Sequence, residues 1–340
     1  MTPPSSIRLT RRQGLLLAAV AGGTALAFSM RPRSKSDLTR RLRALPKNAG
    51  LPAPESVLLR GGPDAHGMFL RCGPDSPPAR RPVVLIAPTP STCFTFAPLM
   101  LGVTDSESSP RAGLAAERAV YALEMPGHGI APKTSEPVTF QRCAEHVIAM
   151  LEALNLDRVH LVGASYGGEF AWRAALDHPD RFASLTLLDS AGIQRRETDW
   201  LSEEVAMREW SVARYGWLLN SRSRIEGALR PHFDTIPTDS VEEVFLCCSN
   251  ANNWSAMVDL ARDENGERQS ELVQLRVPTL LGWGARDLAY EPSHYAVAFE
   301  RSIPSAHLHV FKDTGHYPHE QRPAQLLDLL EAHFGRIEEA

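Results

Sequence analysis

Arg158-Val159-His160-Leu161-Val162-Gly163-Ala164-Ser165-Tyr166-Gly167-Gly168-Glu169-Phe170-Ala171-Trp172-Arg173-Ala174-Ala175-Leu176 decides the fold. Its first five residues predict a short buried strand, and its last nine predict a helix. Between them, Gly163-Ala164-Ser165-Tyr166-Gly167 leaves room only for a very tight turn. Such a turn holds its serine in a strained backbone conformation with Oγ projecting. A side chain at either flanking position would collide with the neighbouring strand or helix, so both are glycine.

Working outward, the chain alternates the same two kinds of segment. Val57-Leu58-Leu59 and Met68-Phe69-Leu70 flank Gly61-Gly62-Pro63-Asp64 as an antiparallel hairpin would. Val83–Ala87, Ala119–Leu123, Ser184–Leu188, Pro278–Gly282 and His307–Phe311 read as strands buried in a parallel sheet. Phe140–Leu154 places apolar residues 147, 148, 151 and 154 on one helical face. The helix after Ser165 must stop before Pro179, and Gln325–Phe334 closes the chain as an amphipathic helix. Strands alternating with helices specify an α/β fold with a doubly wound, mostly parallel sheet. Residues 191–274 break the alternation. No run there predicts a buried strand, and Ser240-Val241-Glu242-Glu243 has capping-box spacing. Trp200, Trp210, Trp217 and Trp254 fall in this stretch with Tyr215, Phe233 and Phe245. It reads as a helical lid over the sheet's carboxyl edge, interrupting a core of residues 46–190 and 275–340. A few of its aromatic side chains are expected to line an apolar acyl or aryl pocket.

The bulk numbers suit one such domain with an insertion. Of 340 residues, 43% are hydrophobic and 22% charged, as in a soluble globular protein. The net charge of −4 is unevenly spread: residues 1–47 hold ten Lys/Arg against the single acid Asp37, and the rest holds 26 basic and 39 acidic residues. A region that acidic is a poor binder of nucleic acid. Cys72, Cys93, Cys143, Cys247 and Cys248 lack metal-site spacing and read mainly as small core side chains; export would permit a disulfide without demanding one. Thr10-Arg11-Arg12-Gln13-Gly14-Leu15-Leu16 leads into an uncharged run ending at Met30, and Ala25-Leu26-Ala27 suits signal cleavage. The paired arginines resemble a twin-arginine export signal, although Gly14 stands where an aromatic is usual. Arg31, Arg33, Lys35, Arg40, Arg41 and Arg43 follow closely and oppose translocation. Residues 1–45 are therefore expected to be a signal with a basic linker, outside the fold, in a protein exported to the periplasm or beyond. Membrane anchoring through residues 14–30 is the alternative.

A serine hydroxyl attacks only when a base takes its proton and a third group orients that base. Two downstream loops supply candidates. Gly282-Trp283-Gly284-Ala285-Arg286-Asp287 places an aspartate just after one predicted strand. Asp313-Thr314-Gly315-His316-Tyr317-Pro318 places a histidine just after the last. The order Ser165, Asp287, His316, each past the carboxyl end of a strand, is what a hydrolytic triad on this architecture requires. Asp189, after the preceding strand, is the alternative acid. Asp313 reads as a turn residue and His319 as surface or pocket wall. His307 and His309 alternate on one strand face without a third ligand, so neither a metal site nor a cofactor is expected.

On these motifs the chain resembles the α/β-hydrolase superfamily, in its serine-nucleophile branch with a helical lid, from about residue 55 to 335. The resemblance implies Ser165 as nucleophile, His316 as general base and then acid, and Asp287 as orienting carboxylate. It also implies an oxyanion hole of two backbone N–H groups. One is expected at Tyr166. The other belongs to the loop where the family usually carries His-Gly-x-Pro and this chain has Ala87-Pro88-Thr89-Pro90. Pro88 has no N–H to give, which leaves Thr89. The family's histidine braces that loop, and here it is missing. Glu124-Met125-Pro126-Gly127-His128-Gly129 resembles the family's Asp-x-Pro-Gly-x-Gly loop with Glu for Asp, and makes His128 structural. The implied activity is hydrolysis of a small carboxylic ester or related acyl compound. Carbon–carbon, amide or thioester hydrolysis and cofactor-free perhydrolysis use the same triad. A non-catalytic small-molecule-binding protein on this fold is the competing class.

Overall fold

The computed structural model describes residues 34–60, 66–75, 80–103, 110–196, 221–233 and 235–339. The expected signal or anchor, and Trp200, Trp210, Tyr215 and Trp217 of the lid, lie outside them. Among the described residues no helix is long and apolar enough to cross a membrane.

The strands are β1 (Glu55–Leu58), β2 (His66–Cys72), β3 (Val83–Ile86), β4 (Gly102–Val103), β5 (Arg111–Ala112), β6 (Val120–Glu124), β7 (Val159–Ala164), β8 (Phe182–Leu188), β9 (Thr279–Gly284) and β10 (Ala306–Phe311). Eight form one sheet in the order β1-β2-β6-β3-β7-β8-β9-β10, while β4 and β5 pair separately. β2 runs antiparallel to both β1 and β6, and every later neighbour is parallel. The sheet is thus mostly parallel and covered on both sides. On β3, Val84 and Ile86 join a core with Phe140, Phe170 and Phe299, and Val83 and Leu85 join another with Phe94, Leu327 and Phe334. A strand with two buried faces has no polar side to alternate with, hence the unbroken apolar runs. Helices Phe140–Ala153, Tyr166–Asp177 and Tyr295–Ser302 cover the first face. Lys35–Arg43, Ala97–Leu101 and Pro323–Glu338 cover the second.

One of these helices corrects the sequence reading. The stretch taken as a basic linker is folded from Ser34 onward, where the Ser34 hydroxyl caps the helix by accepting from the Asp37 N–H. Leu38 and Leu42, one turn apart, sink fully into the second core. The arginines between them disguised an amphipathic helix as a charge run.

Between residues 191 and 274 the described elements are helical: Arg222–Leu229, Thr238–Cys248 and Ala251–Asp263, with short 3-10 turns. The capping-box reading of 240–243 is not realised. The helix starts earlier, after Pro237, so Ser240 lies in its first turn and its Oγ donates to Glu320. Glu243 turns inward to pair with Lys47 at 2.8 Å. All five cysteines are buried and unbonded.

Candidate active site

Ser165 follows the last residue of β7 and is the N-cap of the helix Tyr166–Asp177, with φ 53° and ψ −123°. Its neighbours hold it there: the Ser165 N–H donates to the Leu188 carbonyl at 2.9 Å, and its own carbonyl accepts from Gly168 and Ala191. The flanking glycines answer to different obstacles. A Cβ on Gly163 would lie 2.3 Å from the Gly167 carbonyl oxygen, and one on Gly167 would lie 2.5 Å from the carbonyl oxygens of both Ile86 and Ala87. The elbow is therefore pressed against the end of β3 as well as against its own helix.

Asp287 and His316 arrive from the ends of β9 and β10. The Asp287 carboxyl is buried, and its Oδ1 accepts from the backbone N–H groups of Ala289 and Tyr290 at 2.8 and 3.1 Å. Its Oδ2 lies 2.9 Å from His316 Nδ1, and His316 Nε2 lies 3.0 Å from Ser165 Oγ. With Nδ1–H given to the carboxylate, Nε2 presents its lone pair to the serine hydroxyl. Asp189, at φ 43°, accepts from the Gly284 N–H at 2.9 Å and makes no bond to His316. Burial, and then the charge of Asp287, push its carboxyl well above the usual range. The structure thus brings Ser165, Asp287 and His316 into one chain and sets the alternative acid beside it.

The Ala87–Pro90 loop lies over the elbow and turns through a bond from the Ser91 N–H to the Pro88 carbonyl at 2.8 Å. Its missing brace is supplied from elsewhere. His128 Nδ1 donates to the Pro126 carbonyl at 2.9 Å, so Nε2 accepts from Thr89 Oγ1, also at 2.9 Å. Burial lowers the His128 pKa to about 4, which keeps the acceptor neutral. The Glu-for-Asp change in the same loop is accommodated by Gly129 (φ 42°), where a Cβ would sit 2.2 Å from the Glu124 carboxyl. Glu124 accepts from the Ile130 N–H at 3.3 Å, and burial pushes its pKa up to about 8.

Tyr166 opens the elbow helix, beside Ser165, where backbone N–H groups point outward. Its hydroxyl donates to Glu264 Oε2 at 2.7 Å. Glu264 Oε1 also accepts from the Tyr290 hydroxyl at 3.0 Å and from Arg195 Nε at 2.8 Å. One buried carboxylate thereby ties the elbow and the Asp287 loop to two segments of the insertion. His232, from the lid, brings its ring within 5.8 Å of the His316 ring. Burial first, and the neighbouring His316 second, lower its pKa to about 4. The lid backbone passes so near that a Cβ on Gly315 would lie 2.1 Å from the His232 carbonyl oxygen. That carbonyl accepts from Gln321 Nε2 at 2.8 Å.

Nothing local marks His232, Glu264, Arg195 or Tyr290 as neighbours of the site; a glycine just before His316 is the single sequence sign that backbone approaches there. His319 is not at the surface: it is fully buried, with Nε2 3.2 Å from Thr95 Oγ1. His307 and His309 are exposed on β10, and Asp313 is an exposed turn residue at φ 51°. Among the described residues the grouping with metal-like spacing is Asp189, Asp287 and His316, whose ligand atoms lie within 4.8 Å of one another. His316 and Asp287 already bond each other there.

The alpha/beta hydrolase family profile matches residues 65–329. Among similar proteins, an uncharacterised hydrolase, YugF of Bacillus subtilis, is 28% identical over 223 residues, covering 60% of this chain and 76% of that protein. A 2-hydroxymuconate semialdehyde hydrolase of Pseudomonas putida is 29% identical over 223 residues, covering 62% and 76%. The fold also matches the crystal structure of a membrane phospholipase A, a bacterial virulence factor, with a TM-score of 0.69 at 23% identity over 96% of this chain and 97% of that one. With the match spanning most of the sheet and every residue of the Ser165, Asp287 and His316 constellation, the chain belongs to the alpha/beta hydrolase family.

Proposed function

We propose that this protein is a serine hydrolase that cleaves a small carboxylic ester or related acyl compound through an acyl-enzyme. The observation that carries the reading is the continuous hydrogen-bonded chain from Asp287 through His316 to Ser165. Ser165 Oγ attacks the carbonyl as His316 Nε2 takes its proton, and Asp287 stabilises the imidazolium. The N–H groups of Thr89 and Tyr166 hold the oxyanion. His316 then protonates the leaving alcohol; it next takes a proton from water as the hydroxide adds to the acyl carbonyl, and returns that proton to Ser165 Oγ as the acid departs. A fluorophosphonate probe should label the protein at Ser165, and Ser165→Ala should abolish labelling and lower turnover of short-chain p-nitrophenyl esters by about 10⁶-fold. A folded wild-type protein that resists the probe would reject the reading.

Carbon–carbon bond hydrolysis is the second reading, favoured by the similarity to the 2-hydroxymuconate semialdehyde hydrolase. A parallel screen of esters and ring-cleavage dienoates separates the two by kcat/KM. We also propose that residues 1–33 direct export. N-terminal sequencing of the mature protein should begin near Phe28, and an intact N-terminus in the membrane fraction would instead favour an anchor.

A further inference from the structure

We propose that Asp189 is a second, protonated acid of the site: a positioning residue that backs Asp287 in the intact protein, and that ionises to hold His316 when Asp287 is removed. The proposal rests on the serine-hydrolase reading above.

Asp189 and Asp287 leave the carboxyl ends of two adjacent strands, β8 and β9. Asp189 is wholly buried. Its Oδ1 accepts from Gly284, while its Oδ2 receives no donor and faces the Asp287 carboxyl, to which a protonated Asp189 would donate. A carboxyl oxygen of each aspartate and a ring nitrogen of His316 all lie within 4.8 Å. Two buried carboxyl groups that close do not both ionise. The donors decide which one carries the charge. Asp287 receives three, from the Ala289 and Tyr290 amides and from His316, whereas Asp189 receives one. The proton therefore resides on Asp189, in keeping with the upward displacement of its titration by burial and by Asp287.

Among the described residues, the titratable groups around the pair are His316, His232 and Tyr290. His232, whose ring lies behind that of His316, is held neutral by burial, and the Tyr290 hydroxyl donates to Glu264. Removing the Asp287 carboxylate reverses the balance. The repulsion disappears, His316 Nδ1–H needs an acceptor, and Asp189 gives its proton to solvent. The nearest carboxyl oxygen of Asp189 and ring nitrogen of His316 already lie within 4.8 Å.

The test compares kcat/KM on a p-nitrophenyl ester, and the rate of fluorophosphonate labelling, from pH 5 to 9. The variants are Asp287→Ala, Asp287→Ala/Asp189→Asn and Ser165→Ala. Loss of the only acceptor in such a triad costs about 10⁴-fold. Here Asp287→Ala should lose only on the order of 10- to 100-fold. Adding Asp189→Asn, which keeps the shape but cannot ionise, should cost at least a further 10-fold or so. Equal activity of the single and double variants, or an Asp287→Ala protein as inactive as Ser165→Ala, would overturn the proposal. Should Asp287→Ala fail to fold, infrared difference spectra of wild type and Asp189→Asn decide alone. At pH 7 the wild type should show a protonated-carboxyl stretch that the variant lacks, and its absence refutes the assignment. A folded but unlabelled wild type would reject the serine-hydrolase reading, while the infrared result would still locate the proton.

Discussion

Replacing Lys47 with methionine tests how the lid is fastened to the core. The Lys47 Nζ lies 2.8 Å from Glu243 of the lid helix and 3.4 Å from Glu320, four residues beyond His316. The side chains of Lys47, Glu243 and Glu320 are 15%, 1% and 7% exposed, so solvent screens the group weakly. Glu243 also accepts from the Thr92 N–H and hydroxyl, and Glu320 from the Thr95 hydroxyl at 2.6 Å. Methionine keeps most of the stem and removes only the charge. Deleting one partner of a buried ion pair costs about 3–5 kcal/mol. Because Lys47 retains some exposure, the lower end applies, and at about 2 °C per kcal/mol for a chain of this size the expected loss at pH 7.5 is about 6 °C in Tm. The pH dependence has a definite sign. Burial raises the Glu320 carboxyl, but Lys47 and its hydrogen-bond donors outweigh that and hold it below the ordinary value. A depressed carboxyl contributes stability above its unfolded pKa and loses it as the pH falls through the folded one. Without Lys47, burial is less opposed, so Glu320 in the variant takes up a proton as the pH falls from 7.5 to 5. That uptake relieves the buried charge, and the gap to wild type should narrow. Circular-dichroism melting at the two pH values measures both effects. A loss below 2 °C or so at pH 7.5, or an equal loss at both, would refute the reasoning.

Three further perturbations probe the elbow and its supports. Gly167→Ala puts a Cβ 2.5 Å from two carbonyl oxygens of the β3 loop; it should lower kcat/KM by about 100-fold or more through misplacement of the serine, and full activity would exclude that loop contact. Thr89→Val removes the only donor at buried His128 Nε2 among the described residues; the cost should be about 1–3 kcal/mol in urea unfolding, with kcat falling about 10-fold and KM little changed if the Thr89 N–H serves the oxyanion. Glu124, raised to about 8 by burial, binds its proton more tightly folded than unfolded; its stabilising share is complete below the unfolded pKa and is lost as the pH rises toward 8. Wild-type stability should decline across that range by at most about 1.4 kcal/mol per pH unit relative to Glu124→Gln, and parallel curves for the two proteins would contradict the assignment.

The parts of the fold legible in the sequence are those in which one short stretch meets its whole physical constraint. β3, β7 and β8 are buried on both faces, so composition alone marks them. The elbow carries its two glycines within three residues of the serine. Other features depend on partners far away in the chain. The helix Lys35–Arg43 has the right leucine spacing, but it packs against the helix Thr238–Cys248, which lies much further along the chain. His128 looks structural in its own loop, and its role at Thr89 becomes visible only when positions 39 residues apart are brought within 2.9 Å. Glu264 gathers Tyr166, Arg195 and Tyr290, residues with no common spacing. His316 bonds Asp287, which is fixed in place by backbone donors, and donors of that kind leave no mark in a sequence.

The supports of the site are unevenly divided between core and lid, which bears on how a bound substrate acts on it. Ser165 is held by the carbonyl of Leu188, the N–H groups of Gly168 and Ala191, and the β3 loop pressed against Gly167. All of those lie in the core or at the very start of the insertion. His316 is held differently. The backbone of Gly315 packs on the carbonyl of His232, Gln321 reaches from beyond the histidine to that same carbonyl, and Glu320 is bonded by Ser240 of the lid helix. A displacement of the segment from 222 to 248 therefore reaches His316 before it reaches Ser165. Since the two differ in their anchoring, a ligand that shifts this segment without moving Glu264, which is bonded to Tyr166, alters the Nε2–Oγ alignment while leaving Ser165 in place. Its discrimination should then be read in kcat, with the rate of fluorophosphonate labelling following the position of the lid.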